Sequence, residues 1–573
     1  MARALFLFLV LNFIYMYFEM PVLAWGFTDW SMPLIIWGWV LVFYLARPMF
    51  QKGRAALADS QWGRLIDKLF LGGTIENDKV VDISNRKIPA SVKRIAIAGV
   101  ALMVVGFLNL FVLPVLTSHP IFNSGAYRDL LGHVEESSFT ADIEPINLSQ
   151  IRIVDEETAM KLVEKKIGEV PALGSEVRMG DMVLQKVQNK LYYVAPLEHR
   201  GIFQWFTNQA KGSKGYVMVS ATNPQDVKLI QNVNGKEIFL KYQMNGFIMD
   251  YLPRYLYLHG IVTVGMTDYS FEVDDDLNPY WVVTLYKNKI GFSGPDAVGA
   301  VLVNAQTGEI KRYSMADLPV WVDRIQPESF VYRQIAGWGE YINGFWNSML
   351  AKTGTLKPTS DRLHLIYGND DNVYWYTGIT SSGKDESSVG FLLVNSRTKE
   401  SKWYKVAGAT ESAAKKSAEG QVQEKGYRAG YPILYNIHGV PTYIAPLKDK
   451  EGLLKLVSFI SVENYNLVGV GPDIESALRA YQLNLMSKGN AFIPGNEIKQ
   501  IRLQGKITRF SQVVKGGESY FYFTMEGDSR IFVGSINTSP KIPLIKLDDT
   551  VAVTFNESKD AQISILQFEP VGF

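Results

Sequence analysis

The chain has 573 residues, with 58 Lys and Arg against 57 Asp and Glu, six histidines and no cysteine. With a net charge of +1, the chain as a whole shows no electrostatic commitment to nucleic acid. The missing cysteine excludes disulfide frameworks, thiolate metal sites and cysteine nucleophiles.

Hydrophobic residues make up 47%, and their excess lies before His119. Ala4 to Trp25 is apolar apart from Asn12 and Glu19. Arg3 is the one charge before it, and Leu23-Ala24-Trp25 is a poor cleavage site, so it reads as a span with a cleaved signal peptide as the alternative. Met32 to Ala46 follows, short for a full crossing. Residues 1–50 are thus expected to form a transmembrane hairpin. Residues 51–94 form a loop rich in basic residues, among them Lys52, Arg54, Arg64, Lys68, Arg86 and Arg94, which the positive-inside rule places in the cytoplasm. Leu57, Trp62, Leu65, Ile66, Leu69 and Phe70 give that loop an amphipathic helical pattern. Residues 95–117, IAIAGVALMVVGFLNLFVLPVLT, are uncharged and long enough to cross about 30 Å of hydrocarbon. Asn109 is the strongly polar side chain inside this run, with Gly99 and Gly106 placed for close helix contact.

From Ser118 the pattern becomes strand-rich. Four hairpins are expected: Leu191–Leu197 with Gly215–Ala221, Tyr280–Leu285 with Ala300–Ala305, Val373–Thr377 with Gly390–Ser396, and Thr442–Asp449 with Leu456–Ser461. Helices are expected over Glu156–Glu169 (capped by Asp155), Thr410–Lys425 and Asp473–Lys488. The overall expectation is an α+β chain: a membrane block of three apolar helices, then serial small modules of hairpin plus helix over 118–325 and 326–490, then a small β-barrel over 491–573. A charged helix, an aromatic strand and a strand running into Val303-Asn304-Ala305-Gln306-Thr307-Gly308-Glu309-Ile310 resemble PepSY modules. That resemblance implies small extracytoplasmic domains that inhibit or regulate other exported proteins. In the third unit Arg397-Thr398-Lys399 stands where Thr-Gly-Glu is expected, and the fourth lacks that ending. The closing strands look like an OB-type barrel, but their balanced charge argues against a phosphate-tracking groove.

Chemistry is sparse. The histidines form no close ligand pair, and no nucleophile elbow or phosphate loop is present. Glu272, Asp274, Asp275 and Asp276 cluster, as do Asp370 and Asp371; Asp274 and Asp276 are calcium candidates, and the clustered acids are candidates for hydrolysis. In Tyr332–Gly354, residues Ile335, Trp338, Ile342, Phe345 and Met349, with Trp346 beside them, make one apolar helical face, the candidate partner-binding surface, with a core helix between two modules or a membrane-surface helix as the other readings. Gly337, Gly339 and Gly344 weaken that helix and imply close packing against its backbone. The expected function is a membrane-anchored, multi-pass scaffold, assembly factor or regulator, with a body outside the cytoplasm that binds another envelope protein. Its expected partners are membrane lipid, an envelope protein and a second copy of itself, with no nucleic acid, catalytic residue or cofactor. An envelope glycan or peptide hydrolase and a transport or secretion component are the alternatives.

Overall fold

The computed structural model describes residues 2–50, 90–368, 372–382, 387–437, 439–487, 500–515, 518–536, 538–556 and 561–571. Most of the basic loop, its amphipathic pattern and Asp370-Asp371 lie outside the described residues.

Two helices, α1 (Ala2–Glu19) and α2 (Ser31–Phe50), precede α3 (Ala90–Phe107), which continues through a π turn at Leu108–Val112 to Ser118. Among the described residues one helix, Ala96–Ser118, is long and apolar enough to cross a membrane. The expectation of three such helices is corrected accordingly: the other apolar stretches, Leu9–Glu19 and Ser31–Val42, are shorter. The chain leaves α1 at Met20, which takes a left-handed φ of 48° directly before Pro21. Glycine permits the α2–α3 contact, since a Cβ on Gly38 would lie 2.4 Å from the Gly99 carbonyl oxygen. Asn109 is buried at the π turn, and its Nδ2 donates to Ser31 Oγ (2.6 Å) and to the Phe27 carbonyl (3.2 Å). The polar side chain thus ties α3 to the start of α2.

Beyond Ser118 come α4 (Pro120–Asp129), β1 (Val134–Ser137) and α5 (Glu156–Gly168), where Asp155 Oδ1 accepts from the Thr158 amide at 3.0 Å as the cap. The first sheet holds β2 (Val177–Met179), β3 (Val183–Val187), β4 (Lys190–His199), β5 (Tyr216–Ser220) and β6 (Val227–Ile230), with α6 (Ile202–Asn208) between β4 and β5. After α7 (Leu252–Leu258) the second sheet is a meander of β7 (Gly265–Val273), β8 (Pro279–Ile290), β9 (Ser293–Asn304) and β10 (Ile310–Ser314). Helix α8 (Glu328–Glu340) leads to the third sheet: β11 (Leu356–Pro358), β12 (His364–Tyr367), β13 (Val373–Ser381), β14 (Gly390–Asn395) and β15 (Ser401–Tyr404). Strand β1 joins this sheet in parallel, with Val134 opposite Ser401. Helix α9 (Glu411–Gly420) precedes the fourth sheet: β16 (Arg428–Ala429), β17 (Ile433–Ile437), β18 (Val440–Lys448), β19 (Leu454–Ser461) and β20 (Val468–Gly471). Helix α10 (Ile474–Ser487) follows it.

All four expected hairpins pair antiparallel, with registers Tyr192–Ser220, Tyr280–Asn304, Tyr374–Asn395 and Thr442–Ser461. Their packing is not serial. Tyr192 and Val194 face the second sheet, whereas Tyr193 and Ala195, on the opposite side of the same strand, face the third. Trp375 meets the first sheet while Tyr376 meets the fourth, and α10 covers the far side of the fourth. The layers therefore run second, first, third, fourth. Sheets buried on both faces explain why β5 and β14 are buried at every residue.

The last domain is one six-stranded sheet: β21 (Gln500–Lys515), β22 (Glu518–Met525), β23 (Ile531–Ser535), β24 (Thr550–Asn556), β25 (Gln562–Ser564) and β26 (Gln567–Pro570). It curls as a half-barrel. Its two end strands are consecutive, and between them the Ile565 amide donates to Val533 of β23 and the Leu566 amide to Thr554 of β24. It docks on α10, where Tyr520 Oη donates to Asn484 Oδ1 at 3.1 Å.

Candidate functional site

The stretch Tyr332–Gly354 is not one helix. Helix α8 ends at Glu340, with Tyr341 as its cap, and the chain re-enters helix at Gly344, whose φ of +81° only glycine adopts easily. It then closes a π turn over Asn347–Ala351. The tight packing implied by the glycines is present at two of the three: a Cβ on Gly337 would lie 3.0 Å from the Tyr127 carbonyl oxygen, and one on Gly339 2.5 Å from that of Leu356, whereas one on Gly344 would meet nothing within 4 Å.

The break divides the apolar face into three. Ile335 is 1% exposed and belongs to the core shared by the first and third sheets, so it is closed to any partner. Trp338 meets Trp403 with ring centres 5.8 Å apart, and with Ile342, Leu356 and Val389 the pair lines a groove of about 980 Å³. Val134 of β1 forms part of its wall, and Arg128, His133, Glu136 and Lys405 give it a rim of mixed charge. Strand β1 ends the third sheet, so among the described residues no strand pairs with its outer edge. Phe345 packs on the His119 ring (6.2 Å), while Trp346 and Met349 are 65% and 60% exposed. Trp403 and Val134 were not among the expected partner-binding residues; they reach the groove through a pairing across most of the body's length.

A second polar region lies where the first, third and fourth sheets meet. Arg152 stands between two cavities of about 360 and 430 Å³, its Nη1 donating to the Leu365 carbonyl at 3.3 Å. His364 stacks on Tyr431 with ring centres 3.3 Å apart; burial, then the nearby Arg152 and Arg362, hold its pKa down to about 3. Several charges lining the first cavity are paired: Arg362 with Glu328 (3.8 Å), Arg324 with Asp268 behind the wall (3.4 Å), and Asp155 with Lys448 behind it (2.7 Å). A neutral stacked imidazole beside paired ions makes a polar seam between sheets.

The clustered acids separate in space. Glu272 is buried beside Ser270, whose Oγ donates to its Oε1 at 2.7 Å, and burial raises its pKa to about 8. Asp274, a calcium candidate, uses Oδ1 to accept from the Asp276 and Asn278 amides (3.0 and 2.8 Å) and Oδ2 to accept from Asn278 Nδ2 (3.0 Å). Asp275 accepts from the Gln188 amide at 3.1 Å, and Asp276, the other calcium candidate, is exposed. These carboxylates close a hairpin turn. No group of three or more His, Asp or Glu suited to a metal ion occurs among the described residues.

In comparison with known proteins, no family model and no curated protein matches this chain.

Proposed function

We propose that this chain is a membrane-anchored extracytoplasmic scaffold or assembly protein that holds an extended segment of another envelope protein against β1. One observation carries the reading: an open strand edge runs along a groove floored by Trp338 and Trp403, close to where the apolar helix ends. Such an edge offers backbone hydrogen bonds to an incoming strand, and the tryptophans offer an apolar pocket for its side chains.

The topology in this proposal is multi-pass, with the amino terminus inside and residues from Ser118 outside. The basic loop charges and the glycine-mediated contact of α2 with α3 support it. We read the layered hairpin units as PepSY-like modules and the half-barrel as an OB-like cap, on the patterns quoted above. Among the described residues, the scattered acids leave the hydrolase alternative without a converging pair.

The test is site-specific photocrosslinking in cells, with the probe at Val389, on the groove wall, and at Val320, exposed elsewhere. A stoichiometric adduct from position 389, absent at 320 and lost with Ile342→Glu, is expected. Adducts only to a second copy of the chain would make the groove a self-assembly surface, and no adduct at 389 would remove the proposal.

A further inference from the structure

Among the described residues between 119 and 487, nine large apolar side chains are more than half exposed. Eight fall into two patches: Phe122, Trp346, Met349 and Leu350 in one, Ile202, Phe203, Phe206 and Ile248 in the other. Val320 is the ninth. Scattered exposed apolar residues, such as Val320 and, on the half-barrel, Val514, Ile536, Leu544 and Leu547, need no explanation, but two groups of four beside the helix ends do.

Each patch is tied to an end of the apolar helices. In the first, Phe345 contacts the ring of His119, the residue directly after Ser118, and Trp346 stacks edge-on against Phe345 at 5.3 Å. Phe122 lies on α4 one turn further along. In the second, Arg254 is the link: its Nε donates to the Tyr17 carbonyl (2.9 Å) and its Nη1 to the Ile248 carbonyl (3.0 Å), with the guanidinium 3.9 Å above the Tyr17 ring. Trp205 Nε1 donates to Asp250 Oδ2 at 2.9 Å, which fixes α6, with Phe203 and Phe206, against the same turn.

The attachment between helices and body is itself stiff. Asn288 Nδ2 donates to the Gly26 carbonyl (2.7 Å), the Phe292 amide to Ser118 Oγ (2.7 Å), and the Leu23 amide to the Val262 carbonyl (2.6 Å). Gly291, with φ +58°, lets the tip of the second sheet reach Thr117 and Ser118. A body held this way keeps both patches at the level where the helices leave the bilayer. A partner protein could cover either patch alone; a surface beside both helix ends at once is the bilayer.

We infer that the two patches are feet by which the body rests in the outer leaflet, at the boundary of headgroups and acyl chains. The inference rests on the membrane topology proposed above. Aromatic and long aliphatic side chains on short helices are suited to that boundary, and each gains from leaving water there.

The chain lacks cysteine, so single cysteines report cleanly. Four variants of the full chain, Phe203→Cys, Leu350→Cys, Val320→Cys and Val105→Cys, would carry an environment-sensitive fluorophore in phosphatidylcholine–phosphatidylglycerol vesicles. The vesicles would contain lipid spin-labelled either near the headgroup or deep in the chain. Labels at 203 and 350 are expected to be quenched about two-fold or more by the shallow lipid, the label at 105 by the deep lipid, and the label at 320 by neither. Quenching at 105 with 203 and 350 behaving like 320 would overturn the feet and leave the span intact. No quenching at 105 would overturn the span and the feet with it. Labels at 203 and 350 shielded in native membranes but not in pure lipid would assign the patches to a protein partner instead.

Discussion

Two buried glutamates show how differently this stack of sheets supplies hydrogen-bond donors. Glu411, 2% exposed at the start of α9, joins the third and fourth layers: its Oε1 accepts from Tyr376 Oη (2.8 Å) and the Gly378 amide (2.9 Å), its Oε2 from Thr359 Oγ1 (2.6 Å). Glu272, 1% exposed in the second sheet, has Ser270 on one oxygen while the other has no partner in the structure. The first is a structural joint, with donors on both oxygens. The second keeps its proton because the site gives a charge too little in return.

The widest gap between them should appear on truncation. Glu411→Ala leaves a phenol, a hydroxyl and an amide without their acceptor, an expected loss of about 4 kcal/mol, seen as a fall in the apparent unfolding midpoint in detergent. Asp155→Ala should cost about 2 kcal/mol, because it removes one of the two carboxylates that hold the buried Lys448, leaving Glu157, and uncaps α5. An unchanged midpoint in either variant would show that the joints are not where stability resides.

Glu272→Gln sharpens the contrast through pH. Burial raises the folded pKa to about 8 against 4.5 for the free group. Between those values the folded state holds a proton that the unfolded chain releases, so stability falls as pH rises. The slope from this group approaches about 1.4 kcal/mol per pH unit, and the Gln variant should lose it. His364→Phe should act on the opposite limb and least at neutral pH. With a folded pKa near 3 against 6.5, wild-type His364 makes stability fall as pH drops through that window, and the variant should flatten the acid side. Unfolding midpoints of both variants from pH 4 to 9 check the pair, and parallel profiles for variant and wild type would refute either assignment.

What could be read from the sequence was local. The four hairpins are strand–turn–strand units, and the caps at Asp155 and Asp473 act within three residues, so both follow from neighbours along the chain. The layer order was not legible, because strands buried on both faces carry no alternation to say which face meets which sheet. The apolar stripe of Tyr332–Gly354 was visible, but the left-handed turn at Gly344 and the demands of three surroundings gave its residues three fates. Trp403 entered the groove through a strand pairing with no local signature. The acids before Tyr280 looked like a cluster because they are close in sequence; alternation along the strand and the turn point them apart.

The parallel pairing of Val134–Ser137 with Ser401–Tyr404 also sets an order of events during synthesis. The strand that follows the apolar helix must wait for one made 267 residues later. At ordinary elongation rates that interval is roughly ten seconds to a minute. Throughout it β1 has no strand to pair with and the groove does not exist. A partner that needs the groove can therefore engage only a chain whose synthesis has passed Tyr404, so the site reports on the completeness of the body that carries it.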